Sequence, residues 1–307
     1  MRAAVVGAGI AGVACARALL AGGHAVQVLE RSPVPGGRMA SRELHGRRVD
    51  TGASYFTVSD DGFRAVVDDW AGRGLARPWT DTFATYGPAG RGADTHGPWR
   101  WAAPGGLRAL VTDLAAGLDV RHGEQVAGVG EDGAATVDGR PYDVVVLAMP
   151  DPQALRLLAA DGPAAALLAG RAWEPALALA AGFDARGWAF DGAFVNDPVL
   201  SWVADDGSRR GDGAPVLVAH STGEFAASRL ADPDAAVPAL VAALRRVLDL
   251  PEPAWARVQR WMYAKPVGTR EPAYGLAGAI GLCGDGWGAS KVQAAWQSGH
   301  ALGQALA

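Results

Sequence analysis

The chain has 307 residues, half of them hydrophobic and 20% charged, with 28 basic and 32 acidic side chains and a formal net charge of −4. That length predicts about two globular domains with sizeable cores, and the interspersed charge excludes the basic footprint of a nucleic-acid binder. Cys15 and Cys283 are too few for a disulfide framework or a metal cluster, the six histidines show no pair at metal-ligand spacing, and no Gly-x-Ser-x-Gly elbow occurs.

In chain order, residues 2–6 (RAAVV) predict a short buried strand, followed by GAGIAG and a helix to about Leu20. AVQVLE predicts a second strand ending at Glu30, so one βαβ unit fits within 29 residues. Glycines interrupt the apolar stretch 3–16 and Arg17 closes it, so it does not read as a signal peptide. Residues 164–181 are cut by Arg171, Glu174 and Pro175 and cannot span a membrane, and a cytoplasmic protein without membrane contact is expected. The loop SPVPGGR follows, then the segment VDTGASYFT from Val49. Residues 61–103 predict a helix (DGFRAVVDDWAGRG) and the aromatic antiparallel strands ARPWT, TFATY and PWRWA.

A helix is expected from Gly105 to about Leu118, then short strands near Val120, Val126 and Thr136 and a strong one in DVVVLAMP (143–150). Pro150 and Pro152 suggest a domain crossing. Beyond it come the strands ALALAAGF, AFVN, LSWVA and PVLVAHS, a helix at 233–248 and a strand at 255–263. The last forty residues return to strand, glycine turn and helix with AIGLCGDGWG and KVQAAWQSGHALGQAL. Two styles therefore interleave, parallel α/β in 1–60, 104–150 and 266–307, and antiparallel in 61–103 and 151–265.

Gly7, Gly9 and Gly12, with Ile10 and Ala11 between them, carry weight because they follow a strand and open a helix. Glycines there let the backbone approach a pyrophosphate at a helix N-terminus. Glu30, 18 residues beyond Gly12 and next to Arg31, suits ribose hydroxyls and disfavours a 2′-phosphate. Gly37 and Arg38 suit the diphosphate of a longer ligand; a solvated loop arginine is the alternative. Gly284-Asp285 closes a strand before the last helix, where Asp285 either binds a ribityl hydroxyl or caps the helix. The helix start at Lys291 and Val292 would offset negative charge on a reduced flavin. Together these features favour FAD over NAD.

GAGIAG, PGGRM, VDTGASYFT, CGD and KVQAAWQSG occur in the order seen in renalase-like FAD-dependent oxidoreductases, which the chain resembles along nearly its whole length. FVNDPVLSW, VAHST and QRWMYAKPVG are similar too. The resemblance implies a p-hydroxybenzoate-hydroxylase-like α/β fold, a Rossmann-type FAD domain interleaved with an antiparallel-sheet substrate domain. It implies non-covalent FAD, a small-molecule substrate of the isomeric dihydro-NAD(P) class, and electrons passed to molecular oxygen to give hydrogen peroxide. Amine oxidases and carotenoid desaturases are more distant relatives. By the same resemblance Ala11, Arg38, Ala53, Ser54 and Tyr55 fall on FAD contacts and Glu30 on the ribose position. Val126 falls on the adenine-side strand, and Asp285 and Val292 on the ribityl and pyrimidine side. The family's glutamine in Gly-Ala-Gln-Tyr is replaced by Ser54, a departure that bears on the substrate more than on FAD.

Hydride transfer to flavin requires alignment and a dry pocket, with no obligatory nucleophile. Tyr55, Trp202, His220 and Tyr263 are candidates to line that pocket, and Lys265 to supply a cation for oxygen reduction; core, sheet surface and a solvated lysine are the alternatives. Two other functions compete: a flavin amine oxidase or desaturase on a specialised metabolite, and an FAD-binding protein without turnover. No metal is expected, and oligomeric state is not legible.

Overall fold

The computed structural model describes residues 1–131 and 134–307 and divides the chain into two compact units. The first comprises Met1–Met39, Arg108–Trp173 and Lys265–Ala307; the second comprises Ala40–Leu107 and Glu174–Ala264.

Among the described residues, the first unit is built on a six-stranded sheet in the order Gly275–Ala277, Ile280–Leu282, Val144–Leu147, Arg2–Val6, Ala25–Glu30, Asp119–His122. All neighbours are parallel except the edge hairpin of the first two strands. Short strands of near-continuous Val, Ala and Leu suit a parallel sheet covered on both faces. Helices Ile10–Ala21 and Val292–Leu306 pack closely together, and glycine permits it. A Cβ on Gly299 would lie 1.9 Å from the Ala11 carbonyl oxygen, and one on Gly303 2.7 Å from that of Cys15. A buried cluster of this unit gathers Val145, Leu147, Leu158, Leu168, Ile280 and Trp287. A three-stranded antiparallel sheet (Val129–Gly130, Ala135–Val137, Arg140–Tyr142) adjoins it.

The second unit is organised by an eight-stranded, mostly antiparallel sheet. Alternation along its strands separates two faces, and an irregularity between Leu200 and Trp202 resets the alternation there. Leu200 and Val203 thereby share a core with Leu217, Ala219 and the helix Val237–Leu248, which buries Leu240, Val241, Ala243 and Leu244. Trp202 and Ala204 cluster instead with Trp79, Phe83 and Ala102. Trp202 and Ala178 both pair in register with His220. Helix Asp61–Gly72 begins at Asp60, whose carboxylate accepts from the Phe63 N–H at 2.8 Å.

Several expected boundaries differ. Residues 40–60 belong with the second unit, where Val49 packs on Ala180, Val216 and Val218. Residues 151–173 belong with the first, because Ala154, Leu158, Ala164, Ala165 and Leu168 enter its core. Pro150 and Pro152 mark the start of a short helix, Asp151–Ala154, not a crossing. Val126 lies outside any strand. The Asp138 carboxylate takes the Ala127 and Gly128 N–H groups, each at 2.9 Å, where a ladder would need them. The strand at 255–263 extends over Trp255–Pro266, and the helix after Gly105 spans only Leu107–Leu114.

Candidate functional site

In the first unit the chain leaves Arg2–Val6 through Gly7, whose φ of +108° favours glycine. A Cβ on Gly12 would lie 2.0 Å from the Gly7 carbonyl oxygen, so close passage of helix over turn requires that glycine as well. Gly9 is different: a Cβ there meets nothing within 4 Å. The helix Ile10–Ala21 opens at Gly9 with no side-chain cap and no acidic residue in its first turn. Its first N–H groups thus lack intrahelical acceptors and its positive end is not offset, an arrangement that fits a diphosphate.

Glu30 is 8% exposed; its Oε2 accepts from the Ala8 N–H at 2.7 Å and its Oε1 from the Ser32 N–H at 2.8 Å. Both oxygens are fixed in direction, and each keeps acceptor capacity for a ribose hydroxyl. The second glycine turn crosses the first. Gly36 N–H donates to Ala8 O at 2.9 Å, and Gly37, at φ +52°, places its missing Cβ 3.3 Å from Gly9 Cα.

Arg38 grips Asp285 through two bonds of 2.9 and 2.5 Å and lies 5.2 Å from the centroid of the Trp173 ring. Asp285 therefore does not cap the last helix. It opens a 3₁₀ turn, Asp285–Trp287, and Lys291, exposed, is the N-cap of Val292–Leu306. Gly284, at φ +140°, has open space where a Cβ would be, and its N–H donates to Ser298 Oγ at 2.9 Å. Val126, 9% exposed, lines a small pocket with Leu29, Glu124, Val137 and Tyr142. Arg31 is exposed. An uncapped helix start beside Gly9, an oriented carboxylate and a guanidinium on a second glycine turn fit FAD.

Other groups here were not foreseen. Arg171 donates to the carbonyl oxygens of Gly286 and Gly268, and Arg270 pairs with Asp151 at 2.9 Å. Burial pushes the Asp151 carboxyl up, opposed mainly by Arg270. They brace the loop around Gly286 from distant points in the chain, a relation no local motif reveals.

Ala53, Ser54 and Tyr55 sit in the second unit, on a segment fastened from several sides. Trp261 Nε1 donates to Thr51 O at 2.7 Å, and Trp202 Nε1 donates to Ser54 Oγ at 3.0 Å. Arg209, 1% exposed, donates to Ser54 O at 3.0 Å and to Asp50 O at 3.3 Å and pairs with Asp206 at 2.8 Å. Arg210 pairs with Asp50 at 3.1 Å. Burial pushes the Asp50 carboxyl up against the opposing pull of Arg210 and Arg209.

Tyr55 is boxed by rings, with centroids 5.3 Å from Phe83, 5.6 Å from Trp202 and 6.3 Å from Trp79. Burial raises its phenol pKa, and Arg100 works against the shift. Burial, then the charge of Arg209, lowers His220 to about 4, while a hydrogen bond to the Gly52 backbone opposes them. His220 Nε2 is buried without a hydrogen-bond partner among the described residues. Tyr263 is partly buried on the strand Trp255–Pro266, whereas Lys265 is exposed and assigned to the first unit. Among the described residues there is no group of three His, Cys, Asp or Glu side chains able to hold a metal, and no helix long and apolar enough to cross a membrane.

Fold and site together define a dinucleotide-binding flavoprotein with a Rossmann-like part and a sheet-based part. Residues 5–70 match the NAD(P)-binding Rossmann-like domain, and residues 72–300 match the flavin containing amine oxidoreductases. The chain belongs to the flavin containing amine oxidoreductase family; it is an FAD-dependent oxidoreductase.

A 72-residue stretch is 49% identical to phytoene dehydrogenase from Streptomyces griseus, covering 22% of this chain and 14% of that protein. A 59-residue stretch is 46% identical to phytoene desaturase (neurosporene-forming) from Rhodobacter capsulatus, covering 19% and 11%. These matches thus span under a sixth of the length of either curated relative. A solved structure of putrescine oxidase bound to putrescine superposes over 100% of this chain and 99% of its own, with a TM-score of 0.76 at 16% identity. A CLA-producing fatty acid isomerase from P. acnes superposes over 98% and 97%, with a TM-score of 0.75 at 15% identity. At such identities the likeness speaks to the fold.

Proposed function

We propose that this protein is an FAD-dependent oxidase that takes a hydride from a planar reduced nitrogen heterocycle of the isomeric dihydro-NAD(P) class. The observation that carries the reading is the cluster of rings around Tyr55, whose part-buried ring, tilted 41–56° to three buried aromatic neighbours, offers an apolar aromatic contact for a heterocycle. When bound, FAD supplies a hydride acceptor that is reoxidised by oxygen, so that dihydro-NAD(P), a proton and O₂ become NAD(P)⁺ and H₂O₂. The chain's own task is retention and alignment. Glu30 would bind the ribose, and the Gly9 turn with Arg38 the diphosphate. Tyr55 and Trp202 would hold the substrate ring flat, with Ser54 fixing the Trp202 indole. No residue need form a bond to substrate; alignment within a dry site supplies the rate.

The test is anaerobic stopped-flow reduction by the three dihydronicotinamide isomers. A pocket that aligns one ring carbon misplaces another, and a misplacement near 1 Å costs roughly a hundredfold. Ordinary 4-dihydro NAD(P)H should therefore bleach the flavin about a hundredfold more slowly than an isomer reduced elsewhere on the ring. A second reading, amine oxidase or desaturase on a specialised metabolite, is favoured by the phytoene dehydrogenase match and by the loss of the family's glutamine at Ser54. Bleaching by an amine or a polyene, and by none of the three isomers, would replace the first reading with the second.

A further inference from the structure

The aromatic surface of the second unit carries a charge pattern opposite to the one that captures amines. A box of aromatic rings ordinarily attracts a cationic ligand through its ring faces. Here that position is already taken from within. The Arg100 guanidinium lies 4.1 Å from the centroid of Phe83, the ring that also flanks Tyr55 and Trp202. Arg100 is only 7% exposed, and the one side-chain hydrogen bond of its guanidinium among the described residues goes to the Asp81 carbonyl oxygen. The charge acting on Tyr55 is that of Arg100, and the charge acting on His220, the register neighbour of Trp202, is that of Arg209. The Tyr55 hydroxyl makes no hydrogen bond within the protein among the described residues, so a phenolic donor is left for a ligand. Phe194, 42% exposed and 5.4 Å from Phe83 by ring centroids, and the part-buried Tyr55 carry this aromatic cluster to solvent, while Phe83, Trp79 and Trp202 are buried.

We infer that Arg100 is a specificity-determining residue: the surface takes a planar ring bearing an acceptor substituent, a carbonyl or a carboxylate, bound by the Tyr55 hydroxyl, and rejects cationic amines. The inference rests on the proposal that this surface holds the substrate, and it names the substituent that such a substrate must carry. A buried guanidinium near a low-dielectric ring cluster repels an ammonium and attracts a carboxylate, and one hydroxyl donor adds a modest further gain.

The test is a charge series on one ring, with benzoate, benzamide and benzylamine titrated into the oxidised holoprotein at neutral pH. Tryptophan fluorescence and the flavin absorption band report binding. Benzoate and benzamide should bind at least about tenfold more tightly than benzylamine. Arg100→Met should reduce that ratio to about threefold or less, while Arg100→Lys, which keeps the charge, should preserve it. Tyr55→Phe should weaken benzoate and benzamide about three- to tenfold and leave benzylamine unchanged. Benzylamine binding as tightly as benzoate to the wild type would overturn the inference, as would an unchanged ratio in Arg100→Met. If Arg100→Met loses its fold, the wild-type ratio and its retention in Arg100→Lys decide the matter. Slow reduction by every dihydronicotinamide alongside an intact charge series would refute the proposed substrate and leave this inference standing; the reverse pair of results refutes this inference alone.

Discussion

His220 should make the protein acid-sensitive over a defined range. In the folded chain its pKa is lowered to about 4 by burial and by Arg209; the ordinary value is 6.5. A base with a depressed folded pKa is held neutral by the fold, whereas the unfolded chain takes up a proton first. Its contribution to stability is therefore complete above pH 6.5, falls as the pH drops below that value, and is fully lost below about pH 4. Between neutral pH and pH 5 the linkage is worth about 2 kcal/mol, and the full shift about 3 kcal/mol. For a chain of this size 2 kcal/mol corresponds to a fall in Tm of about 3 °C. The buried carboxyls of Asp50 and Asp151, raised from their ordinary value by burial, also respond to acid. The informative quantity is thus the difference between wild type and His220→Gln, which cannot titrate. Tm measured at pH 7.5 and 5.0 with the same flavin loading should drop more in the wild type by that amount. Parallel pH profiles for the two proteins would show that His220 is not held neutral by its surroundings.

The two first-turn glycines should separate folding from binding. Gly12→Ala drives a Cβ into the Gly7 carbonyl oxygen and should cost both stability and flavin, whereas Gly9→Ala, at φ −75° with open space ahead, should leave the apo Tm unchanged and weaken FAD about tenfold or more. Arg38→Ala should weaken FAD retention by a charge-assisted contact, about 1.5–3 kcal/mol, far more than Lys265→Ala; equal flavin occupancy by absorbance in the two variants would contradict the proposed diphosphate contact. Ser54→Ala leaves the buried Trp202 indole N–H without its acceptor and should destabilise the protein by about 1–3 kcal/mol in urea unfolding.

The cofactor side was legible because its parts are contiguous. Gly7, Gly9 and Gly12 stand between two strands of one βαβ unit, and Glu30 ends the second, so local pattern alone places them. Arg38 and Asp285 were each legible as candidate flavin contacts, but not as partners of one another, since 247 positions separate them. The same reason hides Arg209 beneath Ser54 and Asp50, and Arg270 beside Asp151. A buried arginine is recognisable only once its distant carboxylates are in place. The boundary at Pro150 misled because proline favours a helix start as well as a linker. Val126 misled because a strand exists only where a neighbour completes its ladder, and there the Asp138 side chain takes the backbone donors instead.

A crystal structure of the FAD-loaded protein decides where the dinucleotide binds. Ribose hydroxyls should lie on the Glu30 carboxylate, the diphosphate at the N-terminus of helix Ile10–Ala21 above Gly9, and Arg38 within hydrogen-bond distance of a phosphate oxygen. A dinucleotide bound elsewhere, with Glu30 still occupied only by the Ala8 and Ser32 N–H groups, would contradict this placement.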